Sequence, residues 1–318
     1  MSDITWKMES QRNYFGQAVL ELGRENPNVV VVGADTTESL KTSMFGKEFP
    51  DRLFNIGIAE QNMIGIAAGL AASGKVAIAA TYAVFGTAQV YNVIRQSIAY
   101  PKLNVKLFCS HAGTSVGPDG ATHQMNEDIA LMRGLPNMIV LVPCDAPELA
   151  RAVHAVAALV GPTYCRFSRS NIPTVTSKDD SFTIGKASLI RDGSDVTLMG
   201  CGIMVAKCVE AAKTLDGEGI DARVVNMSTI KPLDVDMIRK AAKETGAIVT
   251  AEEHSIVHGL GSAVAAEVVR SRPVPMEMVG MPDRFGESGE AEELLEKYGL
   301  TAAKIVEAAK RVEKMRGG

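Results

Sequence analysis

The sequence predicts an α/β protein of two domains, each a mainly parallel sheet covered by helices. Three observations lead there: apolar runs of strand length separated by helical patterns, a mid-chain stretch where that alternation lapses, and a length of 318 residues, long for one core and comfortable for two. The runs are apolar throughout and do not alternate with polar residues. Such strands are buried on both faces, as in parallel sheets with helices above and below.

Domain one is expected over residues 1–175. Strands at 29–32, 76–80, 105–109, 138–142 and 163–167 interleave with helices at 11–22, 60–72, 85–100 and 146–159. The pattern then weakens. Pro173, the cluster Ser177, Lys178, Asp179, Asp180 and the turn pair Asp192, Gly193 read as a linker over 176–192. A second series fills 193–318, with strands at 196–199, 222–225, 247–251 and 275–279, helices at 204–215, 235–245 and 261–269, and two more helices from Ala291 onward. The last of these mixes Glu and Lys at helical spacing, a solvated face, and residues 316–318 are expected to fray.

Charged residues make up 22% and the net charge is −4, with no block of Lys and Arg. That excludes the electrostatic footprint of a nucleic-acid or anionic-membrane binder and leaves small-molecule chemistry. Five cysteines without a CxxC pair read as small core residues. Asp3, Lys7, Glu9 and Arg12 interrupt the first 20 residues, leaving no signal-peptide core, and no apolar run reaches membrane-spanning length. A cytoplasmic, reduced protein is expected.

The stretch 54–74 organises the rest. A short apolar piece ends at Ile58 and runs into a pattern of Ile64, Ala67, Ala68 and Ala71, with Met63, Ile66 and Leu70 beside it. A helix apolar on nearly all sides should be buried, and Gly65 and Gly69 leave room for another backbone. Glu60 is the single charge in its first turn. Alone, a Glu there complements the helix dipole for roughly 0.3–1 kcal/mol.

Other chemistry-bearing residues gather where α/β sheets place ligands, at the carboxyl ends of strands. Tyr82 and Phe85 follow the strand at 76–80 in a chain only 5% aromatic, although such a pair is commonly core. His111, Asp119 and His123 lie in a glycine-punctuated loop after the strand at 105–109, and long polar loops of that kind are usually functional. No HExxH and no thiolate pair accompany them, so no metal site is expected. Arg169 closes the last strand of domain one, Arg12 and Ser39 flank its first, and Asp35 sits just past Gly33. Each has an ordinary structural reading when taken singly. His154, within a helical pattern, is read as a satisfied or exposed histidine, and His254 and His258 are read as structural.

I-A-E-Q-N at 58–62, T-Y-x-x-F at 81–85 and S-H-A-G-x-x-x-G-x-D-G-x-T-H-Q at 110–124 together resemble the second half of a transketolase. The resemblance continues through Ser168, Arg169 and Asn171 to 285–289 and 298–301. It implies a thiamine diphosphate-binding domain of the pyrimidine type, followed by a smaller transketolase C-terminal-type domain. Glu60 would be the acid hydrogen-bonded to the aminopyrimidine, shielded so that a proton is shared with the ring and not lost to solvent. Tyr82 and Phe85 would line the pyrimidine pocket, with Ala88 where many members carry a third aromatic, and Asp35 would lie near the cofactor. His111 would face the sugar phosphate. Asp119 and His123 would meet sugar hydroxyls or a developing oxyanion, with His123 catalytic, and Arg169, Arg12 and Ser39 would converge on the phosphate.

The chain departs from full-length members in having no Gly-Asp-Gly, the motif that holds Mg2+ and the diphosphate. The resemblance therefore implies a partner, an N-terminal transketolase subunit carrying the diphosphate and Mg2+ site, with two copies of each chain. The implied activity is ketol transfer from a ketose phosphate to an aldose phosphate, absent from this chain alone. Half of a 1-deoxyxylulose 5-phosphate synthase shares I-A-E-Q and the D-G-x-T-H-Q loop, but His111 and S-R-x-N favour transketolase. A 2-oxoacid dehydrogenase beta subunit lacks that loop. A non-catalytic assembly or regulatory subunit would have little reason to keep Glu60, Asp119 and His123 together.

Overall fold

A computed structural model describes residues 4–316. The chain begins with β1 (Met8–Ser10), α1 (Gln11–Glu25), β2 (Val29–Gly33), α2 (Ser43–Glu48), β3 (Leu53–Asn55), α3 (Glu60–Ala72) and β4 (Val76–Tyr82). It continues through α4 (Ala83–Gly86), α5 (Tyr91–Ile94), β5 (Val105–Ser110), α6 (Asp128–Gly134), β6 (Ile139–Leu141), α7 (Ala146–Ala157), β7 (Thr163–Arg166) and β8 (Asn171–Pro173). Strands β3, β2, β4, β5, β7 and β6 lie side by side, all parallel. Successive side chains of a strand point to opposite faces. Val30, Val32, Ala77, Ala79 and Leu107 therefore pack with α3, while Val29, Val31, Ile78 and Phe108 pack with α1 and α7. Phe15 of α1 fixes the second face, its ring 4.9 Å from that of Phe108 and 5.1 Å from that of Phe167.

The helix expected over 85–100 is broken. Thr87 bonds its hydroxyl to Ala83 O at 2.5 Å and leaves helical geometry, so α4 stops, α5 follows, and a π-turn spans Arg95–Ala99. The break projects Gln89 toward α3. Helix α3 itself spans the expected residues but is open on one side. A methyl added at Gly65 or Gly69 would meet nothing within 4 Å, and Ile58 ahead of the helix is 83% exposed. The close backbone approach expected at these glycines is not made within this chain.

The second series comprises β9 (Ser188–Arg191), β10 (Val196–Gly200), α8 (Met204–Asp216), β11 (Ala222–Asn226), β12 (Thr229–Lys231) and α9 (Val235–Glu244). Then come β13 (Ile248–Ser255), α10 (Leu260–Ser271), β14 (Met276–Met281), α11 (Ala291–Lys297) and α12 (Ala302–Arg316). Their sheet runs β14-β13-β10-β11-β9, parallel except for β9, which falls inside the stretch read as linker. Strand β12 leaves this sheet and pairs antiparallel with β6, the seventh strand of the first. Through it one core runs across both domains, with Met199, Val225, Met227 and Ile230 against Met132, Val140 and Val142. The five cysteines are free and buried. Arg316, expected to fray, donates from Nη1 to Asp195 O at 2.7 Å and Thr245 O at 2.9 Å, which holds the end of α12. Gly317 and Gly318 lie outside the described residues.

Candidate functional site

A cationic cavity of about 440 Å³ opens at the carboxyl ends of β4, β5 and β7, lined by Arg12, Ser39, Tyr82, His111, Asp119, Arg169, Ser170 and Asn171. A short antiparallel pairing assembles it. Strand β1 lies on β8 with Ser10 opposite Asn171, which brings the start of α1 to the end of β7. Buried Gln11 then locks α1 in place, donating to Pro143 O at 3.1 Å and Asp145 O at 3.0 Å and accepting from Ser168 N at 2.7 Å. Arg12 follows directly.

Arg12 Nη1 donates to Ser39 O at 3.2 Å, while its buried Nε has no partner. Arg169 Nη1 donates to Val116 O at 2.9 Å. Among the described residues neither guanidinium is in an ion pair, and burial together with nearby Arg169 holds Arg12 below its ordinary pKa. The cavity thus holds two cations, with the Asp119 carboxylate on its loop side, and the two guanidiniums are complementary to an oxyanion.

His111 sits in a left-handed turn, φ 59°, and is 2% exposed. Its Nδ1 is 2.6 Å from Ser110 Oγ, and burial followed by the charges of Arg12, Arg169 and His123 pushes its pKa down to about 3. It is therefore neutral at neutral pH. In the tautomer in which Nδ1 accepts from Ser110, Nε2 carries the hydrogen and can donate without adding charge.

Glu60 opens α3, is 5% exposed, and accepts one long bond, from Gln89 Nε2 at 3.3 Å. A carboxylate offers more acceptor positions than that bond fills, so a further donor fits there. Four rings run from the cationic cavity. Tyr82 stacks on His111 at 3.8 Å, lies 6.2 Å from Phe85, and Phe85 meets His123 edge-on at 5.5 Å. Tyr82 OH donates to Ser39 Oγ at 2.9 Å, which draws this ring into the cationic cavity. Phe85, stacked on Tyr82, is not part of the cavity lining. His123 Nδ1 is 3.0 Å from Thr122 Oγ1. Asp35 does not line the cavity: in a left-handed turn, φ 58°, it donates from its backbone N to Asn55 Oδ1 at 2.9 Å.

Gln89, Ser170 and Asn171 were not singled out from the sequence. Ser170 and Asn171 stood inside the quoted S-R-x-N, whereas nothing local marked Gln89. His254 is buried and satisfied, Nδ1 to Ser255 O at 2.7 Å and Nε2 accepting from Ala130 N at 3.3 Å. Among the described residues no group of three or more His, Cys, Asp or Glu could hold a metal ion, and no helix is long and apolar enough to cross a membrane.

The chain matches the family model of the transketolase pyrimidine binding domain over residues 7–175 and that of the transketolase C-terminal domain over 185–305. It is 43% identical over 316 residues to a transketolase C-terminal section of Methanocaldococcus jannaschii, covering 98% of each chain. It is 41% identical over 301 residues to a 6-deoxy-6-sulfo-D-fructose transketolase subunit of a Clostridium species, covering 95% of this chain and 94% of that one. A solved structure described as a split gene transketolase, an inactive beta4 tetramer, superposes with a TM-score of 0.91 at 50% identity, covering 96% of this chain and 99% of the other. The chain therefore belongs to the transketolase family, of which it carries the pyrimidine-binding and C-terminal domains.

Proposed function

We propose that this chain is the C-terminal subunit of a split transketolase. Assembled with an N-terminal subunit that binds the diphosphate and Mg2+, it transfers a two-carbon ketol unit from a ketose phosphate to an aldose phosphate. The observation that carries the reading is the cavity with two guanidiniums outside any ion pair among the described residues, in a chain that also opens α3 with a buried carboxylate at Glu60.

Thiamine diphosphate, when bound, supplies the carbanion chemistry that no protein side chain provides. Glu60, with unfilled acceptor positions, would share a proton with the pyrimidine ring, and Phe85 would orient that ring by contact area. Arg12 and Arg169, with Ser39, bind the terminal phosphate of the sugar, and neutral His111 donates to one of its oxygens. Asp119 and His123, on the loop over the cavity, position sugar hydroxyls, and His123 passes a proton at the reacting oxygen. Asp35, just past β2 and braced by Asn55, would lie near the cofactor.

The open face of α3 supports a partner that supplies the missing half, because exposed Gly65, Gly69 and Ile58 form an apolar surface with nothing of this chain against it. One relative is named for a 6-sulfo sugar, which also ends in an oxyanion and supports that class of substrate. Five free buried thiols support a cytoplasmic setting. The test is transfer from xylulose 5-phosphate to ribose 5-phosphate with thiamine diphosphate and Mg2+, using this chain alone, with a candidate N-terminal subunit, and with Glu60→Ala in the same mixture. Activity is expected only in the wild-type mixture. Activity from the chain alone, or from a Glu60→Ala complex at the wild-type rate, would overturn the reading.

A further inference from the structure

No residue of the second domain lines the cationic cavity, yet that domain holds the loop that does. Three loop glycines, Gly113, Gly117 and Gly120, have φ of 82°, 80° and 75°, a region closed to most side chains, and each lies against the second domain. A methyl at Gly113 would come within 2.2 Å of the Glu253 carboxylate, at Gly117 within 3.3 Å of Gly289 O, and at Gly120 within 2.5 Å of Ser288 Oγ. Gln124, at the far end of the loop, donates to Glu287 O at 2.9 Å.

The strongest of these contacts is polar. Glu253, on β13 and 6% exposed, accepts at Oε1 from Ser115 N at 2.6 Å. Its own backbone is clamped, because Glu253 O accepts from Arg166 Nη2 at 2.9 Å while Arg166 Nη1 pairs with buried Asp128 at 2.9 Å. One residue beyond Ser115, Val116 O accepts from Arg169 Nη1. A continuous path of bonds therefore runs from the second domain through the loop backbone to a guanidinium of the cavity.

We infer that Glu253 is a positioning residue for the cavity: through Ser115 and Val116 it sets the guanidinium of Arg169 and the loop that carries Asp119 and His123. The inference rests on reading that cavity as the oxyanion site. It gives the C-terminal domain a part in the reaction without a side chain at the reacting atoms.

The test uses the full chain as wild type, Glu253→Ala, Glu253→Gln and Arg169→Ala, with amide exchange of residues 113–124 and binding of inorganic phosphate as readouts. Losing one bond to a charged acceptor should raise exchange over 113–117 in Glu253→Ala by roughly tenfold or more, leaving β4 and α10 unchanged. Phosphate affinity should fall by roughly fivefold or more, and in the complex with the N-terminal subunit KM for phosphorylated sugars should change more than kcat. Glu253→Gln keeps an acceptor oxygen and should restore both readouts to within roughly threefold of wild type. If Glu253→Ala does not fold, Gly113→Ala, which drives a methyl onto the same carboxylate, replaces it with the same expectation. Unchanged exchange over 113–117 overturns the brace. Raised exchange with unchanged phosphate affinity overturns its link to Arg169. If the wild type binds no phosphate and Arg169→Ala makes no difference, the cavity's assignment fails, and exchange alone then decides the brace.

Discussion

Replacing Arg12 by Gln should impair the enzyme without harming the fold, an outcome that follows from what Arg12 touches. In the folded chain its Nη1 bonds only to Ser39 among the described residues, to O at 3.2 Å and to Oγ at 3.4 Å, its Nε makes no bond, and Arg169 stands nearby as a like charge. Loss of these two long bonds, each at the weak end of about 0.5–1.5 kcal/mol, costs about 1 kcal/mol. Removing a half-buried cation that repels another offsets a comparable amount. The net change in stability should stay within about 1 kcal/mol, a Tm shift of no more than about 3 °C for a chain of this size. Against a bound phosphate the same guanidinium makes charge-assisted bonds of about 1.5–3 kcal/mol each. One of them lost should lower kcat/KM for phosphorylated sugars by roughly 10- to 150-fold, mostly through KM. Calorimetric unfolding of the chain and steady-state kinetics of the assembled enzyme, with a phosphorylated donor and its unphosphorylated analogue, measure both halves. Equal losses on the two donors would refute the phosphate contact, and a Tm drop of about 10 °C would show that Arg12 is structural.

Arg166→Met should leave Asp128, fully buried, with Tyr164 OH at 2.6 Å as its one side-chain hydrogen-bond partner among the described residues, at a cost of about 3–5 kcal/mol seen as a lower Tm. Pairing it with Asp128→Asn should recover part of that loss. Burial pushes Glu252 up to about 7 despite bonds from Leu260 N at 2.6 Å and Gly261 N at 2.8 Å, so its folded pKa exceeds the unfolded 4.5. Its contribution is then full below about pH 4.5 and lost as pH rises through about 7, and Glu252→Gln should remove that part of the pH dependence of Tm. His254, pushed down to about 4 by burial, acts in the opposite sense, losing its contribution as pH falls from 6.5 through 4, so the comparison is variant against wild type and not the slope alone. Gly69→Ala on the open face of α3 should stabilise the isolated chain by about 0.5–1 kcal/mol. Gly65→Leu, equally free of contacts within the chain, should fold normally and fail to assemble with the N-terminal subunit, as judged by sedimentation.

Local order was legible. The strands at 29–32, 76–80 and 105–109 and the helix at 60–72 carry their own periodicity, and the structure has them within one or two residues. The three-residue strands β1, β8 and β12 carry no such pattern. They exist because a distant segment offers a backbone partner, and two of them, β1 and β8, assemble the cationic cavity. The break after α4 was hidden for a related reason, since one hydroxyl, that of Thr87, overrides a helical pattern that its neighbours support.

The sequence by itself determined which residues could do chemistry, because motif spacing along a strand end or a loop survives without knowledge of the fold. Glu60, Asp119 and His123 were all visible in that way. Tertiary structure decided which of them share a cavity and what each can do there. Ser39 ties the Tyr82 hydroxyl to the cationic cavity, burial and two guanidiniums keep His111 neutral, and Glu253 reaches the loop from the other domain. These are effects of proximity between segments far apart in the chain, and neither charge coupling nor desolvation is written in local sequence.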